Sequence, residues 1–236
     1  MSKKISLALD GMTFVRALEL AKQLGRRLRA MKLHDLLDGY GPQALAGLQK
    51  AGATRLWVDY KLHDTKDTVA LRVRALVRNG AKIITVHASG GVPMMKAAVD
   101  ATISECEGSL AEIYAITILT SLDDFEIGRI YGKDRMREEI VHELALMAKE
   151  AGVRTVVCSA QEVGRLKRSP YLAGMRFVVP GTRSAGVALG QQKRSGTPAQ
   201  AIADGADELV AGSQVTKADD VETAFRAFAE EVGEIE

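Results

Sequence analysis

The sequence predicts an α/β fold: a single (β/α)8 TIM barrel that takes up residues 1–236 as one domain. Three observations predict it. Short apolar runs rich in β-branched residues alternate with longer helical patterns along the whole chain. Glycines stand just past the helical stretches, where a left-handed C-terminal cap is common. Polar residues gather where the apolar runs stop.

The expected strands are 5–10 (ISLALD), 29–34 (RAMKLH), 54–62 (TRLWVDYKL), 81–88 (AKIITVHA), 112–119 (EIYAITIL), 154–160 (RTVVCSA), 175–181 (MRFVVPG) and 208–213 (ELVAGS). Helical patterns lie between them. Phe14, Ala17, Leu18, Ala21 and Leu24 follow the i, i+3, i+4, i+7 spacing of one buried face, as do Val221, Ala224, Phe225, Phe228 and Val232 near the end. Gly52, Gly80, Gly152 and Gly205 close helical runs and lead into the next strand. Parallel strands need crossovers of this length. Eight such units in 236 residues fit a closed barrel. An open doubly wound sheet is the rival, but the first strand is followed by DGMTF, with no GxGxxG at the helix start. Two connections are long: SLDDFEIGRIYGKDR after strand five and TRSAGVALGQQKRSG after strand seven.

Composition narrows the partners. Hydrophobic residues make up 47% of the chain, charged residues 26%, and the formal charge is +2. That balance gives no reason to expect nucleic acid or an anionic membrane surface. The basic run GRRLR (25–29) reads as a solvated helix end. Cys106 and Cys158 lie in apolar contexts outside any CxxC pair, which suits buried thiols in a reducing cytoplasm. The start, MSKKISLALD, turns strand-like at once and is not expected to be a signal peptide, and no apolar stretch of membrane-spanning length occurs.

In a barrel of this kind, chemistry sits at the C-terminal ends of the strands. Those ends carry Asp10, Lys32, Asp59 with Lys61 and Asp64, His87, Thr120 with Ser121, Ser159, Pro180 through Arg183, and Gly212 with Ser213. Strand ends turn polar on meeting solvent, which accounts for one or two of these, but less well for two lysines and three acids. Asp59 and Lys61 are two apart, so on a strand they share a face. A lysine between carboxylates is expected to stay charged, which disfavours a Schiff-base nucleophile and favours a positioned proton donor. Lys32 extends an alternating network with Asp10 and Asp59 that limits the cost of holding these charges in a partly dry pocket. The loops after strands seven and eight offer glycine N–H groups and Arg183, with Gln192, Lys193 and Arg194 late in the long loop, a pattern suited to phosphate. His34, His63, His87 and His142 show no metal-ligand spacing, and His142 is expected to be exposed.

These residues resemble orotidine 5'-phosphate decarboxylase. The hallmark Asp-x-Lys-x-x-Asp, with a threonine four residues on, stands here as DYKLHDTKDT, giving Asp59, Lys61, Asp64 and Thr68. LALD, MKLH, TVHASGG (85–91), ILTS (118–121), VVCSAQE (156–162) and PGTR (180–183) match in order over nearly the whole chain. The resemblance implies a cytoplasmic lyase of pyrimidine (UMP) biosynthesis that turns orotidine monophosphate into uridine monophosphate and CO2 without metal or organic cofactor. It implies that Lys61 protonates C6, that Asp59 lies beside the departing carboxylate, and that Asp10 and Lys32 hold ribose hydroxyls. Thr120 and Ser121 would lie near the pyrimidine, and Pro180 of the PGTR match would also contact substrate. Arg183, Gln192 and the Gly212–Ser213 backbone would hold the 5'-phosphate. Asp64 and Thr68 would reach into a partner's site, which makes the protein a homodimer.

The chain departs from the family at two places. The seventh loop reads QQKR, with Gln191 where the family has aspartate, and strand eight ends Gly212–Ser213 where the family has Gly-Arg. Serine cannot supply that arginine's charge-assisted phosphate contact. Either Arg183, Lys193 or Arg194 compensates, or phosphate is held less tightly. Two other readings are open: a metal-dependent sugar-phosphate decarboxylase or aldolase built on the same DxKxxD, and a non-catalytic phosphate-binding barrel.

Overall fold

The computed structural model of the protein describes residues 3–105, 111–184 and 196–234. Eight parallel strands close into a barrel in sequence order, and β8 pairs with β1. The strands are β1 (Ile5–Ala8), β2 (Ala30–Leu33), β3 (Leu56–Leu62), β4 (Ile83–His87), β5 (Glu112–Ile116), β6 (Thr155–Val157), β7 (Arg176–Pro180) and β8 (Glu208–Ala211). The expected eight-strand alternation is what forms.

The helices are α1 (Phe14–Leu24), α2 (Asp35–Tyr40), α3 (Gln43–Ala51), α4 (Lys66–Arg78), α5 (Val92–Ser104), α6 (Asp124–Tyr131), α7 (Arg137–Glu150), α8 (Val163–Arg168), α9 (Pro198–Ala203), α10 (Ser213–Thr216) and α11 (Val221–Glu231). Several starts have a local cause. Thr13 caps α1 by accepting from the Arg16 N–H, and Asp123 and Glu126 form a reciprocal capping box on α6. Gly52 closes α3 at φ +126°, and a Cβ there would meet the Ala21 carbonyl oxygen at 2.9 Å, so the turn into β3 requires glycine.

Period-two alternation divides the strand residues between two cores. Ile5, Leu7, Met31, Leu56, Val58 and Ile84 face outward, into the large core beneath the helices. Ala8, Trp57, Ile83, Tyr114, Val157 and Val178 belong to a second cluster that fills the barrel. Trp57 and Tyr114 meet edge to face with centroids 5.1 Å apart. The N-terminal end of the barrel is closed by a polar knot around Glu208, which is wholly buried. Its carboxylate accepts from the Ser6 hydroxyl, from Tyr114 Oη at 2.9 Å and from Arg29 Nε at 3.2 Å.

This knot corrects the reading of GRRLR as a solvated helix end. The run lies beyond α1, and two of its three arginines are structural. Arg29 serves Glu208; Arg27 pairs with Glu222 at 2.7 Å and lies over the Phe225 ring at 4.6 Å. His142 is likewise half-buried rather than exposed, with Nε2 2.8 Å from the Ser169 hydroxyl. Cys158 is buried as expected, and Cys106 lies outside the described residues. Among the described residues no helix is long and apolar enough to cross a membrane.

Removing Glu208 would leave Arg29 facing a hole at the barrel base. Glu208→Ala is expected to cost about 3–5 kcal/mol in urea unfolding. A loss under about 1 kcal/mol would show that Glu112, 3.4 Å from Arg29, suffices alone.

Candidate active site

The inward phase of each strand that fills the barrel also delivers its last side chain to the C-terminal rim. Two residues beyond Ala8 is Asp10; two beyond Ala30 is Lys32; two beyond Trp57 is Asp59. These line a cavity of about 380 Å³ at the strand ends. Going round the rim, its walls differ. The β1–β3 side is charged, with Asp10, Lys32, Asp59 and Lys61. The β5–β6 side is apolar, with Ile116, Ile118, Leu119 and Val157. Beyond β7 and β8 stand Pro180, Arg183, Gly212, Ser213 and Lys217.

The four charged residues form one alternating chain. Lys32 Nζ lies 2.9 and 3.0 Å from the two Asp10 oxygens and 3.0 Å from Asp59 Oδ2; Lys61 Nζ lies 2.9 Å from that same Asp59 oxygen. The Lys32 and Asp59 side chains are only 9% and 7% exposed, so each needs close opposite charge to stay ionised there. Burial works to raise the Asp59 pKa, but Lys32 first and Lys61 second outweigh it and hold the carboxyl below its ordinary value. Burial likewise opposes the Lys32 charge, and Asp59 and Asp10 together overcome it, leaving that pKa raised.

Strand alternation alone does not bring Asp59 and Lys61 together. The β3–β4 register shifts between Val58 and Leu62, and Lys61 has φ +47°, in the left-handed region. Among the described residues it is the one non-glycine with positive φ. A conformation of this kind costs on the order of 1–3 kcal/mol and must be held by its surroundings. Thr85 holds it. Wholly buried on β4, its hydroxyl accepts from the Lys61 backbone N–H at 2.9 Å and donates to Asp59 Oδ1 at 2.9 Å. One side chain thus fixes both the bulge and the carboxylate.

Nine of the expected site residues therefore share one cavity: Asp10, Lys32, Asp59, Lys61, Thr120, Pro180, Arg183, Gly212 and Ser213. Ser121 is exposed and does not line it. Asp64 and Thr68 also stand outside it, at the start of α4, where Asp64 accepts from the Thr65 N–H and Thr68 Oγ1 from the Thr65 hydroxyl. Gln192, with Gln191, Lys193 and Arg194, lies outside the described residues.

Sequence reasoning did not pick out Thr85, His34 or Lys217. The signal for Thr85 was a hydroxyl in the aliphatic run IITVH, in phase with His87. His34 is in phase with Lys32; its Nδ1 accepts from the Asp35 N–H at 2.7 Å, which leaves Nε2–H to donate to Asp10 at 3.2 Å. Asp10, His34 and Asp35 bring one ligand atom each within 4.8 Å of one another, but the Lys32 ammonium already sits against both Asp10 oxygens and would repel a metal ion. His87 packs near His63, with ring centroids 5.6 Å apart; burial first, then His63 and Lys61, lower its pKa against the opposing pull of Asp59.

Asp59 gives a signed pH prediction. With its folded pKa below the ordinary value, its contribution to stability is complete above about pH 4 and is lost as pH falls through the folded value. Lys32→Met removes its strongest cationic partner. Carboxyl-carbon NMR of Asp59 should then titrate at higher pH, and the acid limb of stability should move the same way. An unchanged titration would mean that Lys61 alone sets it.

A profile of the orotidine 5'-phosphate decarboxylase / HUMPS family matches residues 3–228. The orotidine 5'-phosphate decarboxylase of Pseudoalteromonas translucida is 40% identical over 219 residues, covering 92% of each chain. That of Thermobifida fusca is 36% identical over 233 residues, 98% of this chain and 97% of the relative. The crystal structure of orotidine 5'-phosphate decarboxylase from Lactobacillus acidophilus superposes with a TM-score of 0.81 at 29% identity, covering 98% and 99% of the two chains.

Proposed function

The chain belongs to the orotidine 5'-phosphate decarboxylase / HUMPS family, and from that membership we propose that it decarboxylates orotidine monophosphate to uridine monophosphate, with Lys61 as the proton donor to C6. The observation that carries this reading is the alternating chain Asp10–Lys32–Asp59–Lys61 on one wall of a cavity whose facing wall is apolar. A planar pyrimidine suits such a slot. One face meets Ile116, Ile118 and Val157, and the edge to be protonated meets Lys61.

The reaction breaks the bond from C6 to the carboxylate carbon. The electron pair stays on C6, CO2 leaves, and the C6 carbanion takes a proton from the Lys61 ammonium, which solvent later replaces. No ring carbonyl stands next to C6 to spread that charge, so stabilisation falls to the site. The Lys61 ammonium is fixed in place before reaction, by Asp59 and by the Thr85-bound bulge, which is electrostatic preorganisation. Asp59, held ionised by its two lysines, would stand against the substrate carboxylate and favour its departure. Asp10 and Lys32 would hold the ribose hydroxyls, Thr120 the pyrimidine, and Arg183 with Gly212 and Ser213 the phosphate. Ser121 and Gln192 would join these from the two long loops. Remote phosphate contacts would supply binding energy used at the reacting carbon.

We assign Asp64 and Thr68 to the site of a second copy, which makes the active form a cytoplasmic homodimer. Both stand at the mouth end of the barrel, at the start of α4, yet outside their own chain's cavity.

The test is formation of uridine monophosphate, followed by the fall in orotate absorbance, in the presence of a chelator. Turnover that needs a divalent ion would favour the sugar-phosphate reading. Lys61→Ala should keep the fold and lose more than about 10³-fold in kcat; near-wild-type product formation would sink the assignment. If sites are shared, Lys61→Ala and Asp64→Ala proteins, each inactive, should recover about a quarter of full activity when mixed in equal amounts, because half the dimers then hold one intact site. No recovery after subunit exchange would place Asp64 in its own chain's site.

A further inference from the structure

We propose that Lys217, one turn beyond Ser213 at the start of α10, supplies a further positive charge for the substrate's phosphate. The identity of the ligand rests on the decarboxylase reading; the role of the lysine rests on the cavity. Among its described lining residues the charged side chains are two carboxylates, Asp10 and Asp59, and four cations, Lys32, Lys61, Arg183 and Lys217. The ion-pair chain takes up both carboxylates with Lys32 and Lys61. Among the described lining residues, the charged groups outside that chain are Arg183 and Lys217, on the β7–β8 side. A phosphate monoester carries about −1.5 to −2 at neutral pH, and a wall bearing cationic side chains suits such a group at that side.

The backbone explains why Lys217 can act where an arginine at 213 would. Its N–H donates to the Ser213 carbonyl at 3.0 Å, closing one helical turn. Residues four apart on such a turn are surface neighbours, with Cβ atoms about 5–6 Å apart. Lys217 thus projects from the same face as Ser213, and Thr216 beside it also lines the cavity. Among the described residues no carboxylate pairs with the Lys217 ammonium. The nearby Asp220 is committed to capping α11, accepting from the Glu222 and Thr223 N–H groups and the Thr223 hydroxyl. The lysine is exposed at the rim, and among the described residues its ammonium makes no hydrogen bond or ion pair that truncation would remove.

Trp57 is the chain's one tryptophan and lines the cavity, so its fluorescence reports binding. Wild type, Lys217→Ala, Lys217→Arg and Lys217→Ala/Ser213→Arg would be titrated with uridine monophosphate, uridine and inorganic phosphate, and assayed with orotidine monophosphate. Lys217→Ala should weaken uridine monophosphate and phosphate by about tenfold or more and raise KM more than it lowers kcat. Uridine affinity should not change, and the loss should shrink at high salt. Lys217→Arg should keep the affinity, and Ser213→Arg should restore it in the alanine background. Uridine monophosphate and phosphate affinities within twofold of wild type in Lys217→Ala, or an equal loss for uridine, would overturn the lysine's role while leaving decarboxylation untouched. A wild type that leaves orotidine monophosphate unchanged would overturn the decarboxylase reading instead; phosphate titration then still decides the lysine's role. A wild type that binds neither uridine monophosphate nor phosphate would overturn both.

Discussion

Everything at the mouth of this barrel depends on one shared carboxylate. Asp59 lies almost wholly out of water, where an isolated charge would be very costly. A single oxygen, Oδ2, meets both Lys32 and Lys61 within 3.0 Å, while the other, Oδ1, receives the Thr85 hydroxyl. Both oxygens are satisfied, and the charge is retained because each partner is itself fixed. Lys32 is held from the other side by Asp10, and Asp10 by His34. Taking away Asp59 would leave the buried Lys32 with Asp10 alone, and breaking a buried pair in this way is costlier than never having built it. The rest of the rim is arranged around this charge pattern.

The same carboxylate explains the strained backbone. A regular strand would point Lys61 inward, but with its own rise and pleat. The bulge at Lys61 turns the residue into the left-handed region and brings Nζ back onto the Asp59 oxygen that Lys32 already holds. Strain of that size survives only because the Lys61 N–H, freed from the ladder, finds the Thr85 hydroxyl. Local cost at this point is exchanged for a fixed ammonium, which the proposed role of Lys61 as proton donor requires.

The fold was legible because its signals are local. Each apolar run, each helical period and each closing glycine can be read within a dozen residues, and the barrel follows from their strict alternation. The strand-end acids and lysines were legible for the same reason. Thr85 was not, because its importance comes from a cross-strand contact to a bulge that alternation does not predict. The arginines of GRRLR were misread because their partners, Glu208 and Glu222, lie some 180 residues or more away in the chain. Asp64 and Thr68 show a further limit: a single chain places them outside its own cavity, so one chain alone gives them no role there. Lys217 carries no strand-end signal, since it stands one helical turn past Ser213.

That position changes how the departure at Ser213 is understood. A serine in place of an arginine looks like a lost anion site if each residue is judged alone. Charge at a cavity wall is a property of the wall, and a side chain four residues on can restore it from the same face. The two replacements are not equivalent. Arginine offers a planar fork that fixes the orientation of a phosphate, whereas lysine offers a compact charge on a flexible stem. A wall built from Arg183 and Lys217 would therefore hold a dianion with comparable attraction but less angular definition. The precise placement of the pyrimidine would then fall more heavily on the rigid side of the cavity, where Asp59, Lys61 and Thr85 leave little freedom.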